Sequence, residues 1–411
     1  MTPDSASSKQ IRKGSSGEPS YRKVVKLWLL LRIVTSVIVI VPSVFQGLQI
    51  YPELSDQATT PGWPPSPTFG AWLQRIFVEP WMRWDAKFYV WGVSRGFSVQ
   101  DGSASFHPLL SWLSKPIYLL TGSPLLSILI VSTLATLILY FVFLKLASLD
   151  LSKHDAWRAT LLFAVYPSSY VLFAPYTEST FLLFSVLTLL FARKQNWLLA
   201  GLCGALATLT RQQGLFLAVP LIWEIWLSRR RIFLGLCSLL QIPLAYASWV
   251  VYRNLALGDS GPNFSSIHNL IYSVLISPST QKVVVQQDFL LPPHAFYLAL
   301  VHFWRHHNVE TLFDFALAFI FVMVTVLAWR HMRSSYKAYC LTIILVAFSL
   351  HTGMLFSSPY MGLPRHLLLA FPVFIAMPRF LSDATTWRWV RLAFCGFLIM
   401  TYLHSINFWV P

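Results

Sequence analysis

Long apolar runs separated by short polar loops extend from Leu27 almost to the C-terminus of this chain. A helix needs about 20 mostly apolar residues to cross a bilayer, so the runs predict about eleven membrane-spanning helices. The predicted spans are 27–49, 125–147, 157–175, 178–193, 197–211, 214–228, 232–252, 312–330, 337–357, 364–381 and 389–409. Several spans in the middle of the chain are short, which predicts tilted or broken helices around a cavity. The pattern therefore indicates an all-α polytopic membrane protein.

The residues outside the spans include a tail and two long polar stretches. Residues 1–26 are rich in Ser, Lys and Gly and are predicted to be a disordered basic tail, while residues 27–411 are predicted to form one transmembrane domain. The first stretch, 50–124, is a loop that is Pro-rich near its start. The second, 253–311, is too long for a simple connector, so we expect it either to fold over a functional site or to bind a substrate.

Composition agrees with this class. Hydrophobic residues make up 55% of the 411 residues and charged residues only 11%, against about 25% charged residues in a typical soluble domain. Much of the net charge of +15 lies in the N-terminal tail and in short loops, where the positive-inside rule explains it. No base-reading motif accompanies the charge, which argues against nucleic-acid binding. The four cysteines lie in apolar runs without metal-site spacing, so packing is their expected role.

The basic clusters give the predicted orientation. Alternating spans place all of them on one side of the membrane, which is therefore predicted to be cytoplasmic together with the N-terminus. The clusters are Arg22, Lys23 and Lys26; Arg193 and Lys194; Arg229, Arg230 and Arg231; Arg330, Arg333 and Lys337; and Arg379, Arg388 and Arg391. The loop 50–124 and the stretch 253–311 fall on the opposite, extracytoplasmic side.

The first extracytoplasmic loop contains the most informative motif, Arg83-Trp84-Asp85-Ala86. Segments 69–77 and 86–94 of this loop are amphipathic, which predicts short helices lying in the membrane interface. Asp85 then stands at the start of the second helix. A carboxylate beside a membrane face commonly serves as a base or as the partner of a cation. A helix N-cap and a structural pair with Arg83 are the alternative interpretations.

Other polar side chains interrupt apolar sequence on the same side. They are His107, Tyr176, Glu178, the run Arg211-Gln212-Gln213 and the pair Arg365-His366. A carboxylate, arginines, glutamines and histidines on one extracytoplasmic face are what an active site at a membrane surface requires. No internal repeat is evident in the sequence, which weakens the interpretation of the chain as an inverted-repeat transporter.

These residues resemble the motifs of the PIG-V-type mannosyltransferases. That family includes the enzyme that adds the second mannose of GPI anchors in eukaryotes, and many bacterial relatives. The resemblance covers residues from about 80 to 380. Its motifs are Arg83-Trp84-Asp85-Ala86, Tyr89, Gly96, Ser105-Phe106-His107-Pro108-Leu109, Tyr166-Pro167-Ser168, Tyr176-Thr177-Glu178-Ser179, residues 201–210 with Arg211, and Leu363-Pro364-Arg365-His366. The stretch from Asp101 to Leu110 looks closer to the bacterial branch.

The resemblance implies a GT-C glycosyltransferase, a multi-span enzyme with its active site on the extracytoplasmic or lumenal face. Such enzymes take a sugar, typically mannose, from a polyprenyl-phosphate (dolichyl-type) donor and usually invert the anomeric centre. The acceptor is left open among a glycolipid, a polysaccharide intermediate or other glycan, and a protein. The membrane is the plasma membrane in a bacterium, or the endoplasmic reticulum membrane in a eukaryote. Eukaryotic relatives work with an accessory membrane subunit, and the sequence leaves open whether this chain has a protein partner.

The implied reaction needs a base for the acceptor hydroxyl, and cations or hydrogen-bond donors for the departing phosphate. We expect Asp85 to be the base, with Glu178 as the alternative base or as a group that orients the acceptor. Arg211 is the strongest candidate for the phosphate, because an arginine at the external end of a short span needs an anion. The other candidates for binding the donor phosphate or sugar are His107, Arg365, His366, Gln212, Gln213, Arg83 and Tyr176.

No obligatory cofactor or metal is predicted, and the lipid-phosphate sugar serves as co-substrate. The external carboxylates leave a divalent cation open, but their spacing does not match a metal-binding loop. These carboxylates are Asp85, Asp101, Glu178 and Asp288. The alternative functions are a GT-C enzyme that uses another lipid-phosphate sugar, a lipid-linked sugar phosphotransferase, and a lipid or sugar transporter.

Overall fold

The computed structural model describes residues 21–46, 68–259, 266, 287–307, 309–352, 360 and 362–406. The helices are, in chain order, α1 Tyr21–Gln46, α2 Phe69–Phe77, α3 Ala86–Ser94, α4 Leu109–Thr121, α5 Pro124–Ala147, α6 Lys153–Ala164, α7 Glu178–Arg193, α8 Trp197–Thr210, α9 Ala218–Ser228, α10 Ile232–Leu257, α11 Pro292–His306, α12 Val309–Ala328, α13 Ser334–Ser349, α14 Leu363–Leu368, α15 Pro372–Ala376 and α16 Asp383–Ser405. Two three-residue strands, β1 Gln287–Phe289 and β2 Leu350–Thr352, pair antiparallel. The predicted helical class is confirmed, with this short pair as an addition.

Four helices of the described ranges are long and apolar enough to cross a membrane. They are Tyr21–Pro42, Pro124–Ala147, Ile232–Leu257 and Thr311–His331. The first begins six residues before the span predicted to start at residue 27, because its first turn packs on the protein. There, Val24 is buried and the ring of Tyr21 meets that of Phe141 edge-on at 5.5 Å.

Two predicted spans are broken into shorter segments. The span 157–175 consists of α6 followed by a 3₁₀ helix at Pro167–Leu172, and the span 364–381 consists of α14, α15 and a 3₁₀ helix at Met377–Arg379. Prolines stand in the first turn of each segment that follows a break or a bend, where the missing N–H costs no helical hydrogen bond. Neither of these spans is one of the short central spans for which broken helices are predicted. Of those, 178–193 and 197–211 are the single helices α7 and α8, whereas 214–228 consists of a 3₁₀ helix at Gln212–Leu217 followed by α9.

Helices form at both places where interfacial helices are predicted in the first loop. α2 leaves Phe69, Trp72 and Phe77 exposed, as a helix in the membrane interface requires. α3 is different, since Phe88, Tyr89 and Val93 are buried against the rest of the protein. In the stretch 253–311, the described part contains the end of α10, the strand β1 and α11. Residues 260–265, 267–286 and 308, like residues 1–20, lie outside the described residues.

The central helix α7 separates two polar networks. Most of its side chains are buried, and its 16 residues span roughly 24 Å at 1.5 Å per residue. At its C-terminal end, the guanidinium of Arg193 donates to both carboxylate oxygens of Asp150, at 2.7 and 2.9 Å. Arg379 donates to the carbonyl oxygen of Asp150 at the same end. Glu178, at the other end of α7, belongs to the second network.

Candidate active site

Asp85 lies on a tight turn between the first-loop 3₁₀ helix Glu79–Trp81 and α3. The N–H of Ala86 donates to the carbonyl oxygen of Arg83 at 3.0 Å and closes the turn. Trp84 has φ +48°, in the left-handed region, where a bulky residue costs roughly 1–2 kcal/mol relative to right-handed backbone. Such strain is typical of functional sites. The sequence interpretation names Trp84 only as part of the motif and does not foresee its conformation.

The side chain of Asp85 points to an arginine from a distant part of the chain. One of its oxygens, Oδ2, accepts a hydrogen bond from Arg365 Nη2 at 2.9 Å. Asp85 precedes α3 directly but makes no capping hydrogen bond to it, so the helix-cap interpretation does not describe its contacts. The guanidinium of Arg83 donates to the carbonyl oxygens of Met82 and Ser405, both at 3.3 Å.

Glu178 lies between two arginines at the first residue of α7. It is fully buried, its Oε1 accepts a hydrogen bond from Arg211 Nη1, and the same oxygen lies 2.8 Å from Arg365 Nε. Two adjacent cations and the positive end of a helix offset the cost of burying this carboxylate. Its Oε2 is buried without a hydrogen-bond partner among the described residues.

Arg211 follows α8 in an extended conformation, and the chain then turns back. Its Nη1 also donates to Thr177 Oγ1 at 3.2 Å, and its Nε to Gln213 Oε1 at 3.4 Å. This reversal of the backbone depends on Gly214, because a Cβ atom there would lie 2.3 Å from the backbone nitrogen of Thr208. Only glycine allows this close approach. The tight turn therefore holds Arg211 beside Glu178.

Together these side chains form an alternating chain of charges: Asp85, Arg365, Glu178 and Arg211. The formal charges of the four side chains sum to zero, so each arginine is balanced by a carboxylate. The side chain of Asp85 is 20% exposed, whereas that of Glu178 is 0% exposed. Asp85 is therefore the more accessible of the two carboxylates. Arg365 Nη1 is buried without a hydrogen-bond partner among the described residues, which leaves a cationic donor available to an anion.

Two tyrosines, Tyr176 and Tyr89, lie beside the alternating chain of charges. The hydroxyl of Tyr176 donates to the carbonyl oxygen of Arg83 at 3.2 Å, and its ring faces the guanidinium carbon of Arg365 at 5.3 Å, which is a cation–π contact. The hydroxyls of Tyr89 and Thr177 are 3.3 Å apart. Tyr89 is evident in the sequence only as a motif residue, although its place in α3 brings it to the site.

His107 lies at the same end of the molecule, just before α4. Its ring is 6.1 Å from that of Tyr246, and its Nε2 is buried without a hydrogen-bond partner among the described residues. Burial, followed by the charges of Arg253 and Arg211, lowers the pKa of His107 to about 3. The imidazole is therefore neutral at physiological pH. It offers a hydrogen bond to a sugar hydroxyl more readily than a positive charge to a phosphate.

Because the pKa of His107 is lowered on folding, it contributes to the dependence of stability on pH. Below its ordinary pKa of about 6.5 the unfolded chain takes up a proton that the folded protein does not, so stability falls as the pH drops from about 6.5 towards 3. We expect His107→Gln to unfold with a weaker dependence on pH over this range. Thermal unfolding of both proteins at pH 4 to 8 measures the difference, with His154→Gln, an exposed histidine, as the control. Identical pH dependence in His107→Gln and the unaltered protein would contradict the assignment.

The structure places the remaining candidates less decisively and adds one residue. His366 and Gln212 are half-buried beside Arg365 and Arg211, and their roles stay predictions. Asp314 on α12 is close enough for its charge to act on the hydroxyl of Tyr170, and the charges of Arg365 and Glu178 act on the same hydroxyl. The sequence interpretation missed Asp314, although a carboxylate within a predicted span is itself a sign of function.

No group of three or more His, Cys, Asp or Glu side chains in the described part of the chain could hold a metal ion, and metal independence stays a prediction.

Comparisons with known proteins bear on the fold of the chain. Residues 105–251, roughly a third of the chain, match the family model described as dolichyl-phosphate-mannose-protein mannosyltransferase. The match includes His107, Glu178 and Arg211 but neither Asp85 nor Arg365. The crystal structure of ArnT from Cupriavidus metallidurans bound to undecaprenyl phosphate is similar over 90% of this chain and 62% of ArnT, with a TM-score of 0.50 and 15% identity. The chain has the GT-C glycosyltransferase fold.

A second solved structure resembles the chain more distantly. The oligosaccharyltransferase of Archaeoglobus fulgidus, tethered to an acceptor peptide, is 11% identical over 95% of this chain and 56% of its own, with a TM-score of 0.45. The chain thus spans about three fifths of the length of the solved structures that it resembles. No curated protein sequence matches it. The resemblance to PIG-V-type enzymes accordingly rests on the sequence motifs.

Proposed function

We propose that this chain is a membrane glycosyltransferase that transfers mannose from polyprenyl-phosphate mannose to a hydroxyl group of a glycolipid or glycan acceptor. The observation that carries the proposal is the alternating chain of Asp85, Arg365, Glu178 and Arg211, which joins an accessible carboxylate to two arginines. Two comparisons support the class of donor. The family model that matches residues 105–251 describes dolichyl-phosphate-mannose-dependent enzymes, and ArnT, which shares the fold, binds undecaprenyl phosphate.

In the proposed reaction the acceptor oxygen attacks the anomeric carbon of mannose on the face opposite the phosphate. A new glycosidic C–O bond forms, the bond from the anomeric carbon to the phosphate oxygen breaks, and the configuration inverts. Asp85 takes the proton of the acceptor hydroxyl as general base. Arg365 and Arg211 stabilise the charge that develops on the departing polyprenyl phosphate.

Exposure separates the roles of the two carboxylates. Glu178 is fully buried and faces both arginines, which favours a role in holding the two cations at a fixed separation. Asp85 is partly exposed at the end of the alternating chain of charges, where an acceptor hydroxyl can approach it. Glu178 therefore remains the alternative base only if Asp85 proves dispensable.

The other candidates divide into binding and positioning residues. His107, neutral and buried, suits a hydrogen bond to a sugar hydroxyl, and Gln212 and His366 are further candidates for that contact. Arg83 and Tyr176 hydrogen-bond to backbone carbonyl oxygens around the turn of Asp85, so we assign them to positioning that turn.

We place the reaction on the extracytoplasmic side of a multi-pass membrane protein whose N-terminus is cytoplasmic. Glu178 and Arg211 meet at the N-terminal end of α7. Arg193 and Arg379, from the predicted cytoplasmic clusters, meet Asp150 at its other end. This separation supports the orientation that the positive-inside rule predicts.

A direct test uses the purified protein in detergent with radiolabelled polyprenyl-phosphate mannose and a lipid extract from the source cells. We expect label to move from the donor to a new product, and parallel reactions with polyprenyl-phosphate glucose and galactose to be slower. Faster transfer from another sugar donor would replace mannose but keep the enzyme class. Flux of labelled lipid across proteoliposomes without any chemical conversion would favour the transporter alternative.

A further inference from the structure

The last turn of α16 lies against the turn that carries Asp85. The carbonyl oxygen of Ser405 accepts the hydrogen bond from Arg83 Nη2 at 3.3 Å. The preceding residue, His404, is fully buried. Its ring lies edge-on to Tyr176, with centroids 5.9 Å apart and an interplanar angle of 83°, and 5.2 Å from the ring of Tyr170. The C-terminal end of the described chain therefore forms part of the site.

His404 is an unusual residue for this position. Neither of its ring nitrogens has a hydrogen-bond partner among the described residues, and buried polar atoms without partners weaken a fold. The charges of Arg83 and Arg365 both act on its imidazole. The aromatic contacts of its ring are with Tyr170 and Tyr176, two tyrosines beside the alternating chain of charges.

Tyr176 contacts both His404 and the two groups that hold Asp85, which are the backbone turn at Arg83 and the guanidinium of Arg365. The hydroxyl of Tyr176 donates to the carbonyl oxygen of Arg83, which also accepts the N–H of Ala86 and so closes the turn of Asp85. The ring of Tyr176 faces Arg365, the arginine that donates to Asp85. A shift of the Tyr176 ring would therefore move the backbone and the cation that orient Asp85.

We propose that His404 is a positioning residue for Asp85, acting through the packing of its ring on Tyr176. The inference rests on the proposed function for its kinetic test, because it assigns the effect to the base of that reaction. It predicts that an aromatic ring at position 404 is sufficient and that the imidazole nitrogens are dispensable.

His404→Ala and His404→Phe separate ring packing from nitrogen chemistry. In His404→Ala we expect kcat with radiolabelled polyprenyl-phosphate mannose to fall about 10- to 100-fold, the scale of a small misplacement of reacting groups, with the donor KM little changed. His404→Phe should turn over at nearly the unaltered rate. Met400→Ala, which removes another buried side chain of α16, controls for a loss of stability alone and should keep its kcat per folded molecule. An equal loss in His404→Phe would overturn the proposal.

A double-mutant cycle with Tyr176→Phe tests the route of the effect. If His404 acts through the bond from Tyr176 to Arg83, then His404→Ala combined with Tyr176→Phe should be little slower than the worse single variant. Additive losses would contradict this route.

Hydrogen exchange provides a readout that does not depend on the reaction. The amides of residues 84–88 should exchange faster in His404→Ala than in Met400→Ala. If the unaltered protein does not turn over the donor, the proposed function fails while the exchange data still decide the positioning role. If it is active and His404→Ala changes neither kcat nor exchange, the positioning role is wrong.

Discussion

Replacing Asp85 with asparagine is expected to lower the rate of sugar transfer by about 10²- to 10⁴-fold, the usual contribution of a general base. The amide is nearly isosteric and keeps an oxygen that can accept the hydrogen bond from Arg365 Nη2, so the turn and the arginine should stay in place. It cannot take the proton of the acceptor hydroxyl at neutral pH. Single-turnover rates and donor affinity, measured on the purified variant, should therefore separate, with turnover lost and donor binding retained.

Asp101→Asn is a matched control on the same loop. The side chain of Asp101 is 19% exposed and pairs with Arg95 at 2.8 Å, so it resembles Asp85 in exposure and in having an arginine partner. Asp101 is not part of the alternating chain of charges, so its replacement should cause little loss of turnover. Full activity in Asp85→Asn would remove Asp85 from the chemistry and make Glu178 the first candidate for the base.

The periodicity of the sequence predicts most helices, because membrane-spanning and interfacial helices carry strong local patterns of apolar residues. The helices predicted at 69–77 and 86–94 coincide with α2 and α3. The patterns do not reveal where an apolar run is broken. The segments that begin near Pro364 and Pro372 belong to one apolar stretch, and proline is compatible with both the start of a helix and a bend within it.

Sequence reasoning predicts the types of residue in the site but not their pairing. Asp85 and Arg365 are 280 positions apart, and no local pattern encodes a contact of that separation. The shared use of Glu178 by two arginines likewise depends on the packing of α7, α8 and α14. His404 lies in an apolar run, where the sequence does not distinguish a histidine of the site from a histidine of the core. Its contacts with Tyr170 and Tyr176 become evident only from the fold.

Replacing Glu178 with glutamine is expected to destabilise the protein by about 3–5 kcal/mol, the usual cost of leaving a buried charge without its partner. Glu178 is fully buried and its Oε1 contacts both Arg211 and Arg365. The neutral amide would leave two arginines facing each other without the anion between them. A lower temperature of thermal unfolding in detergent should report the loss, and donor affinity should fall with it because the arginines would separate.

Two further variants distinguish this explanation from a general loss of packing. Glu224→Gln removes another buried carboxylate, whose Oε1 lies 2.7 Å from Arg333 Nε. This pair is not part of the proposed site, so the variant should lower stability without changing donor affinity. Adding Arg211→Gln to Glu178→Gln removes the uncompensated cation, so we expect the double variant to regain stability while donor binding stays weak. If the double variant were less stable than Glu178→Gln by the full effect of Arg211→Gln alone, repulsion between the two arginines would not be the cause. Glu178 would then act by filling space at the start of α7, and the role of Arg211 in holding phosphate would have to be judged from donor affinity alone.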